Sequence, residues 1–433
     1  GSWPKGCIPC SSRSAAVPFA RTWRMGCALS SSDRRCGPDQ SGGRHCKARS
    51  EEPQEARRSS GNFHETNVVS DKLGKGAYAS VYAVSKGPGE EAKYAAKVIS
   101  LRLPSGRASK SKEQMVAREL KILQKVTDTG SDLVVKFIES FTEGHFVYVV
   151  MEKCDESLLS ALKSFDDITE DVYRPLMKGM LQGLVVIHNV GVVHRDLKPE
   201  NYMCSGQGES RVIKLCDFGL AKVAAAPHRN ELCGISGTAP FMAPEMVKGL
   251  HYNCKVDVWS LGVILYLMVY GHFPYMPQIW TSEEMKLCIR LGTPSPSFAP
   301  KVRNKPAPEF ADVVSAEASS LTIKVLHRSP RERCTAEEAL KHEWFQVPPS
   351  ASAPSLKPMF ESAEFYGAFG QPRQKEQDEE PSAVDVSIAT LQVQHGHSSP
   401  WSRQTSAGSN YSAGPGVPIG ELHSSTSLNA DIP

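Results

Sequence analysis

Three runs of β-branched and aromatic residues open the patterned part of the chain near Asn62: Val68-Val69, Val81-Tyr82-Ala83-Val84 and Tyr94-Ala95-Ala96-Lys97-Val98-Ile99. Gly-rich or Gly/Pro turns separate them, which predicts antiparallel strands. Val116, Leu120, Leu123 and Val126 then fall at helical spacing. Two more strands are expected, Leu133–Phe141 and His145–Met151, joined by Thr142-Glu143-Gly144. From Leu158 the signals are mostly helical, down to Ala336–Phe345. A strand-rich part followed by a helix-rich part predicts an α+β fold of two lobes with a cleft between them. The small antiparallel β lobe, with one key helix, is placed at about 62–151, and the larger, mainly helical lobe at about 155–346. Leu261 to Tyr270 is the most apolar stretch. It is about half as long as the ~20 residues a membrane span needs, and reads as a buried core helix.

Composition changes this picture mainly at the flanks. Residues 1–61 are rich in Ser, Gly, Arg and Cys without an apolar period, and are expected to be a disordered basic segment. Residues 347–433 return to Pro, Ser, Gly and charge and are expected to be a disordered acidic tail. Residues 1–60 carry a net charge of +6, and residues 347–433 a net of −5. Such flanks read either as solvated tails or as mutually attracting segments. The whole-chain charge of +3 gives no argument for nucleic acid as a partner. The twelve cysteines show no disulfide-framework spacing, which points to a reducing compartment. Cys7-Ile8-Pro9-Cys10 has a zinc-like interval, but no second close pair completes a four-ligand site.

The chemistry concentrates in His194-Arg195-Asp196-Leu197-Lys198-Pro199-Glu200-Asn201, where a base, a lysine and an amide fall within six residues. Leu73-Gly74-Lys75-Gly76-Ala77-Tyr78-Ala79-Ser80-Val81 lies between two expected strands. Glycines there let backbone approach a phosphate, although a Gly-rich hairpin turn gives the same pattern. Lys97 alternates with apolar neighbours, so its side chain should face inward, where a lysine needs a partner. Glu119, on the expected helix, is the candidate. Asp217-Phe218-Gly219 follows the strand-like Val212-Ile213-Lys214-Leu215.

In this order, these segments resemble a eukaryotic Ser/Thr protein kinase domain over residues 62–346. The Gly-rich loop departs from the family pattern at its third glycine, which is Ala79. Gly237-Thr238-Ala239-Pro240-Phe241-Met242-Ala243-Pro244-Glu245 resembles the end of an activation segment, and Thr335-Ala336-Glu337-Glu338-Ala339-Leu340-Lys341-His342-Glu343-Trp344-Phe345 adds a calcium/calmodulin-dependent kinase-like flavour.

The resemblance implies roles. Asp196 would orient the substrate hydroxyl and accept its proton, Lys198 would neutralise charge on the transferred phosphoryl, and Thr238 would hydrogen-bond near both. Lys97, fixed by Glu119, would hold phosphates of ATP, and Asn201 and Asp217 would bind Mg2+. Backbone groups of Glu152 and Cys154 would bind adenine, between Leu73, Val81, Ala95 and Met203, with Gly74 and Gly76 over the phosphates. Glu245 would pair with Arg333, and Asp257 would brace the catalytic loop.

The implied function is ATP-dependent phosphorylation of Ser and Thr in protein substrates. The alternative is a catalytically inactive pseudokinase scaffold. Glu200, Asp155 and Glu156 would line the cleft with negative charge, giving a modest preference for basic residues, and Arg403-Gln404-Thr405-Ser406 is a candidate autophosphorylation site. Ser236, the only hydroxyl between Leu220 and Gly237, is the candidate regulatory phosphosite. No calcium loop and no basic amphipathic helix occurs, so no calmodulin partner is expected. A cytoplasmic protein is expected. Met25-Gly26-Cys27-Ala28-Leu29-Ser30 fits an N-myristoylation pattern. If translation starts at Met25, membrane attachment would follow; chance and a targeting segment are the competing readings.

Overall fold

The computed structural model describes residues 57–365, apart from 77–78, 104–105, 303–304 and 311. The cysteine pair at Cys7 and Cys10, the acylation pattern at Met25 and the site around Thr405 lie outside the described residues.

A short helix α1 (Phe63–Thr66) precedes three strands, β1 (Val68–Lys75), β2 (Ala79–Ser85) and β3 (Tyr94–Ser100). Helix α2 (Lys110–Thr127) and strands β4 (Phe137–Glu143) and β5 (Phe146–Glu152) complete the small lobe. The five strands form one antiparallel sheet in the order β1-β2-β3-β5-β4. Strand alternation sorts its side chains onto two faces. Tyr82, Val98, Tyr148 and Val150 pack with Phe63 of α1, whose ring stacks on Tyr148 at 4.2 Å. Ile99, Val147 and Val149 join the other core with Val116, Leu120, Leu123 and Val126 of α2. The Ser109 hydroxyl accepts from the Lys112 amide and so starts α2.

The strand expected at Leu133–Phe141 begins only at Phe137. Residues 133–135 instead join the large lobe, where Val135 N–H donates to Leu215 C=O at 2.9 Å and Leu215 N–H donates to Leu133 C=O at 2.9 Å.

The large lobe runs through β6 (Glu156–Ser157), α3 (Leu158–Lys163), α4 (Glu170–Asn189), β7 (Val192–Val193), β8 (Tyr202–Ser205), β9 (Val212–Leu215) and β10 (Lys222–Val223). It continues with α5 (Pro244–Val247), α6 (Lys255–Tyr270), α7 (Ser282–Leu291), β11 (Lys301–Val302), β12 (Lys305–Pro306), α8 (Ala316–Val325) and α9 (Ala336–Leu340). Helix α6 is apolar on every side and buried along nearly its whole length, as an all-round hydrophobic helix must be. Its Gly262 faces α8, where a β-carbon would come within 2.7 Å of Val325.

Both expected disordered flanks need correction where they are described. At the amino-terminal side Arg58 bridges to Ser140. At the other, residues 350–362 lie along the large lobe and α10 (Lys357–Phe365) packs on α6 and β11. Leu356, Met359 and Phe360, spaced along one face, are buried. Their apolar area supplies the stabilisation that the surrounding Ser- and Pro-rich sequence lacks.

Candidate active site

The β3 lysine is where the two lobes meet. Lys97 Nζ lies 2.7 Å from Glu119 Oε1 on α2 and 2.8 Å from Asp217 Oδ1 in the large lobe. Burial pulls the Lys97 ammonium down, but the two carboxylates more than offset it, so its pKa is raised and the cation is retained. Burial pushes the Asp217 carboxyl up and the Lys97 charge pulls it further down, for a net lowering.

Asp257, fully buried at the start of α6, holds the catalytic loop. Its Oδ2 accepts from the His194 amide at 2.9 Å and its Oδ1 from the Arg195 amide at 2.8 Å. His188 Nε2 lies 2.9 Å from the same carboxylate. Burial lowers the His188 imidazole, yet hydrogen bonds to Asp257 and Cys254 and the Asp257 charge outweigh it and push the pKa up to about 9. Asp257 thereby stabilises an unusual backbone at Arg195, which sits at φ 70°; Asp217, at φ 59°, is a second residue in that region. Non-glycine residues there cost roughly 1–3 kcal/mol each and persist where surrounding contacts determine them.

Asp196 Oδ1 accepts from both the amide and the hydroxyl of Thr238, each at 2.8 Å. Lys198 Nζ lies 3.4 Å from that hydroxyl and 3.7 Å from Asp196 Oδ2. Asn201 Nδ2 donates to Asp196 C=O at 2.7 Å. The approach of Thr238 depends on Gly237, at φ 108°, where a β-carbon would stand 2.4 Å from Arg195 C=O.

The residues expected to face the nucleotide are contributed by neighbouring strands. Leu73, Gly74 and Gly76 edge the β1–β2 turn, Gly76 N–H donating to Ala79 C=O at 2.8 Å, and Ala77 and Tyr78 lie outside the described residues. Val81 pairs with Lys97, Ala95 with Met151, and Ser157 with Met203. The Cys154 amide finds no acceptor among the described residues. Asp217, whose side chain is 48% exposed, and the Asn201 amide offer hard oxygen donors of the kind Mg2+ takes. No group of three or more His, Cys, Asp or Glu placed to hold a metal occurs among the described residues. A cation here would complete its shell with phosphate and water oxygens, so the residues present fit a nucleotide-borne Mg2+.

Several contacts were not foreseeable from sequence. Lys214 Nζ lies 3.1 Å from each Glu152 carboxylate oxygen, tying the strand before Asp217 to the end of β5. The expected negative lining is smaller than its residue count. Glu156 is paired with Arg211 at 3.2 Å, and Asp155 Oδ2 accepts from the Gly206 amide at 2.7 Å. Glu200 keeps a buried Oε2 without a partner, and burial raises its pKa. At the far end of the activation segment, Arg333 and Glu245 form a buried two-bond pair at 2.7 and 3.0 Å.

Comparison with known proteins agrees with this geometry. The family described as "Protein kinase domain" matches residues 68–345. The chain is 31% identical over 289 residues to the calcium/calmodulin-dependent protein kinase type II alpha chain of Drosophila melanogaster. It is 32% identical over 289 residues to the type II subunit delta of Oryctolagus cuniculus. It is 33% identical over 285 residues to a probable serine/threonine-protein kinase 2 of Plasmodium falciparum. Each alignment covers 65% of this chain and 49%, 49% and 51% of the respective relative, so the chain spans about half the length of the curated relatives it matches. With a five-stranded antiparallel lobe, a helical lobe and a family match across more than half of its residues, the chain belongs to the protein kinase family.

Proposed function

We propose that this protein transfers the γ-phosphoryl of ATP to serine and threonine hydroxyls of protein substrates. The observation that carries this reading is Lys97 held between Glu119 and Asp217, with Asp196 held by Thr238 beside Lys198. Asp196 accepts the hydrogen bond of the incoming hydroxyl and then its proton, as the new O–P bond forms and the bond between the β–γ bridging oxygen and phosphorus breaks, releasing ADP. Lys198 and the Thr238 hydroxyl flank that carboxylate and position it. Lys97 binds phosphate oxygens, and Glu119 fixes its direction. Asn201 and Asp217 are the residues that would hold Mg2+, which neutralises phosphate charge when bound. Catalysis on this reading is mostly positioning and fixed charge. The test is transfer of labelled phosphate from ATP to a generic Ser/Thr peptide. The wild type should turn over, and Lys97→Met and Asp196→Asn should abolish transfer in folded protein. ATP binding without turnover by the wild type would mark the pseudokinase scaffold instead.

The preference for a basic residue before the target rests in this proposal on Glu200 alone, and peptide arrays selecting acidic or proline-directed sequences would overturn it. Independence from calmodulin is likewise proposed from the sequence. It meets an opposing observation, since two relatives carry calmodulin dependence in their names. Calmodulin-stimulated turnover of purified protein would refute it. No described helix is long and apolar enough to cross a membrane. Cytoplasmic location is proposed, with membrane attachment through an acylated Gly26 if translation starts at Met25, which mass spectrometry of the native terminus checks.

A further inference from the structure

The activation segment is fastened between Pro227 and Gly234 to the three residues that precede α6. Cys254 N–H donates to Pro227 C=O at 2.9 Å, and Asn253 Nδ2 donates to His228 C=O at 3.1 Å. Cys254 Sγ lies 3.4 Å from His228 Nδ1. Leu232 and Tyr252 exchange both backbone hydrogen bonds, at 3.1 and 2.9 Å. The Tyr252 hydroxyl, on a ring only 1% exposed, then reaches Gly234 C=O at 3.0 Å and Cys233 C=O at 3.3 Å.

That hydroxyl has a second contact. Arg195 Nη1 donates to it at 3.0 Å, while Arg195 Nε donates to Leu220 C=O at 2.8 Å. A phenol carries one proton and two acceptor sites, so it can accept from the guanidinium and still donate to the loop. A guanidinium facing the segment is the kind of group a phosphate on the loop would pair with and be ordered by. Among the described residues Arg195 has no carboxylate within ion-pair distance. It spans the segment's beginning and, through Tyr252, its middle. Its own backbone is fixed by Asp257, two residues before the loop's Leu197. Ser236, the one hydroxyl that phosphorylation could use between Leu220 and Gly237, makes no hydrogen bond with these residues.

We infer that Tyr252 is a positioning residue that takes the place of a loop phosphate: with Asn253 and Cys254 it keeps the activation segment ordered and Arg195 engaged while the segment is unphosphorylated. The inference rests on the phosphotransfer reading for its kinetic consequence, and on the contacts alone for its structural one.

The experiment compares wild type, Ser236→Ala and Tyr252→Phe, all treated with phosphatase and verified as unphosphorylated by mass spectrometry. Wild type and Ser236→Ala should keep the kcat of untreated wild type within about two-fold. Tyr252→Phe retains the buried ring and loses both the charge-assisted hydrogen bond from Arg195 and the one its hydroxyl donates to the loop, so its kcat should fall about ten-fold with KM for ATP little changed. Hydrogen exchange of the peptide covering 228–237 should be slow in dephosphorylated wild type and fast in Tyr252→Phe, at equal melting temperature. If Tyr252→Phe does not fold, Asn253→Asp removes the donor to His228 C=O while keeping the acceptor that Lys255 N–H uses, with the same exchange readout. Loss of activity and exchange protection in wild type on dephosphorylation overturns the inference, as does unchanged exchange in the variant. A wild type that never transfers phosphate sinks the proposed function, while the exchange comparison still decides the clamp.

Discussion

Replacing Arg333 with methionine exposes how the end of the activation segment is anchored. Arg333 is completely buried and Glu245 is 5% exposed. The guanidinium makes two bonds to Glu245, one to His327 C=O and one to Lys255 C=O, both at 2.9 Å, and lies 4.9 Å from the Trp259 ring centroid. Arg333→Met leaves the Glu245 carboxylate unpaired in the interior, a loss of about 3–5 kcal/mol. The two carbonyls that lose a donor add to this, and the methionine chain recovers some packing against Trp259, so a net loss of about 4 kcal/mol is expected. For an ordered region of roughly 300 residues the unfolding entropy near Tm is about 0.6 kcal/mol/K, which converts that loss to a Tm drop of about 6–7 °C. Differential scanning calorimetry measures it. The companion variant Arg333→Met/Glu245→Leu removes both charges and should recover at least about half of the loss, because the dominant cost is the orphaned carboxylate rather than the missing pair. A drop under about 2 °C for the single variant, or a double variant less stable than the single, would refute the reasoning.

Other outcomes follow from the same contacts. Burial lowers the His188 imidazole, but its hydrogen bonds to Asp257 and Cys254 and the Asp257 charge raise it from the ordinary 6.5 to about 9; it binds its proton more tightly when folded, so its contribution of about 3 kcal/mol is complete below pH 6.5 and disappears as pH rises through 9. Urea midpoints across that window should fall more steeply for wild type than for His188→Gln. Gly237→Ala forces a β-carbon onto Arg195 C=O and displaces Thr238 from Asp196, so kcat should drop about 10²-fold with KM for ATP preserved in steady-state assays. Lys214→Met removes the counter-charge of Glu152, which is 24% exposed and partly reached by water, so urea titration should register a smaller loss, about 1–2 kcal/mol, with a raised KM for ATP.

What the sequence disclosed was whatever lies in contiguous pattern. Alternating residues around Tyr148 and the stripe from Val116 to Val126 fixed strands and helix because local period decides which face is buried. Lys97, Asp196, Asn201 and Asp217 were visible because each sits at a spacing that few other folds use. Contacts formed between distant segments left no such mark. Arg211 cancels the charge of Glu156, and the Gly206 amide ties down the Asp155 carboxylate, two groups that the sequence shows as free. Tyr252 reads as one more aromatic before an apolar helix, and only the fold carries its hydroxyl to Arg195. Residues 133–135 have strand composition, yet their hydrogen bonds go to Leu215, a partner about 80 positions away.

The strap formed by residues 350–362 separates two boundaries that are commonly treated as one. Recognisable family sequence stops at residue 345, but the folding unit does not. Leu356, Met359 and Phe360 are all at most 3% exposed, and the Leu356 amide and Ser362 hydroxyl bond to Ile168 C=O and Gly271 C=O. At about 1.5–3 kcal/mol for each buried apolar side chain, these three together reach the scale of a whole domain's net stability. A fragment trimmed at the edge of the family match would therefore carry an open greasy seat at the end of α6 and tend to clump, whereas one carried through Phe365 brings its own cover. For this kinase the choice of where to cut the chain is itself a stability decision, and conservation of motif is the wrong ruler for making it.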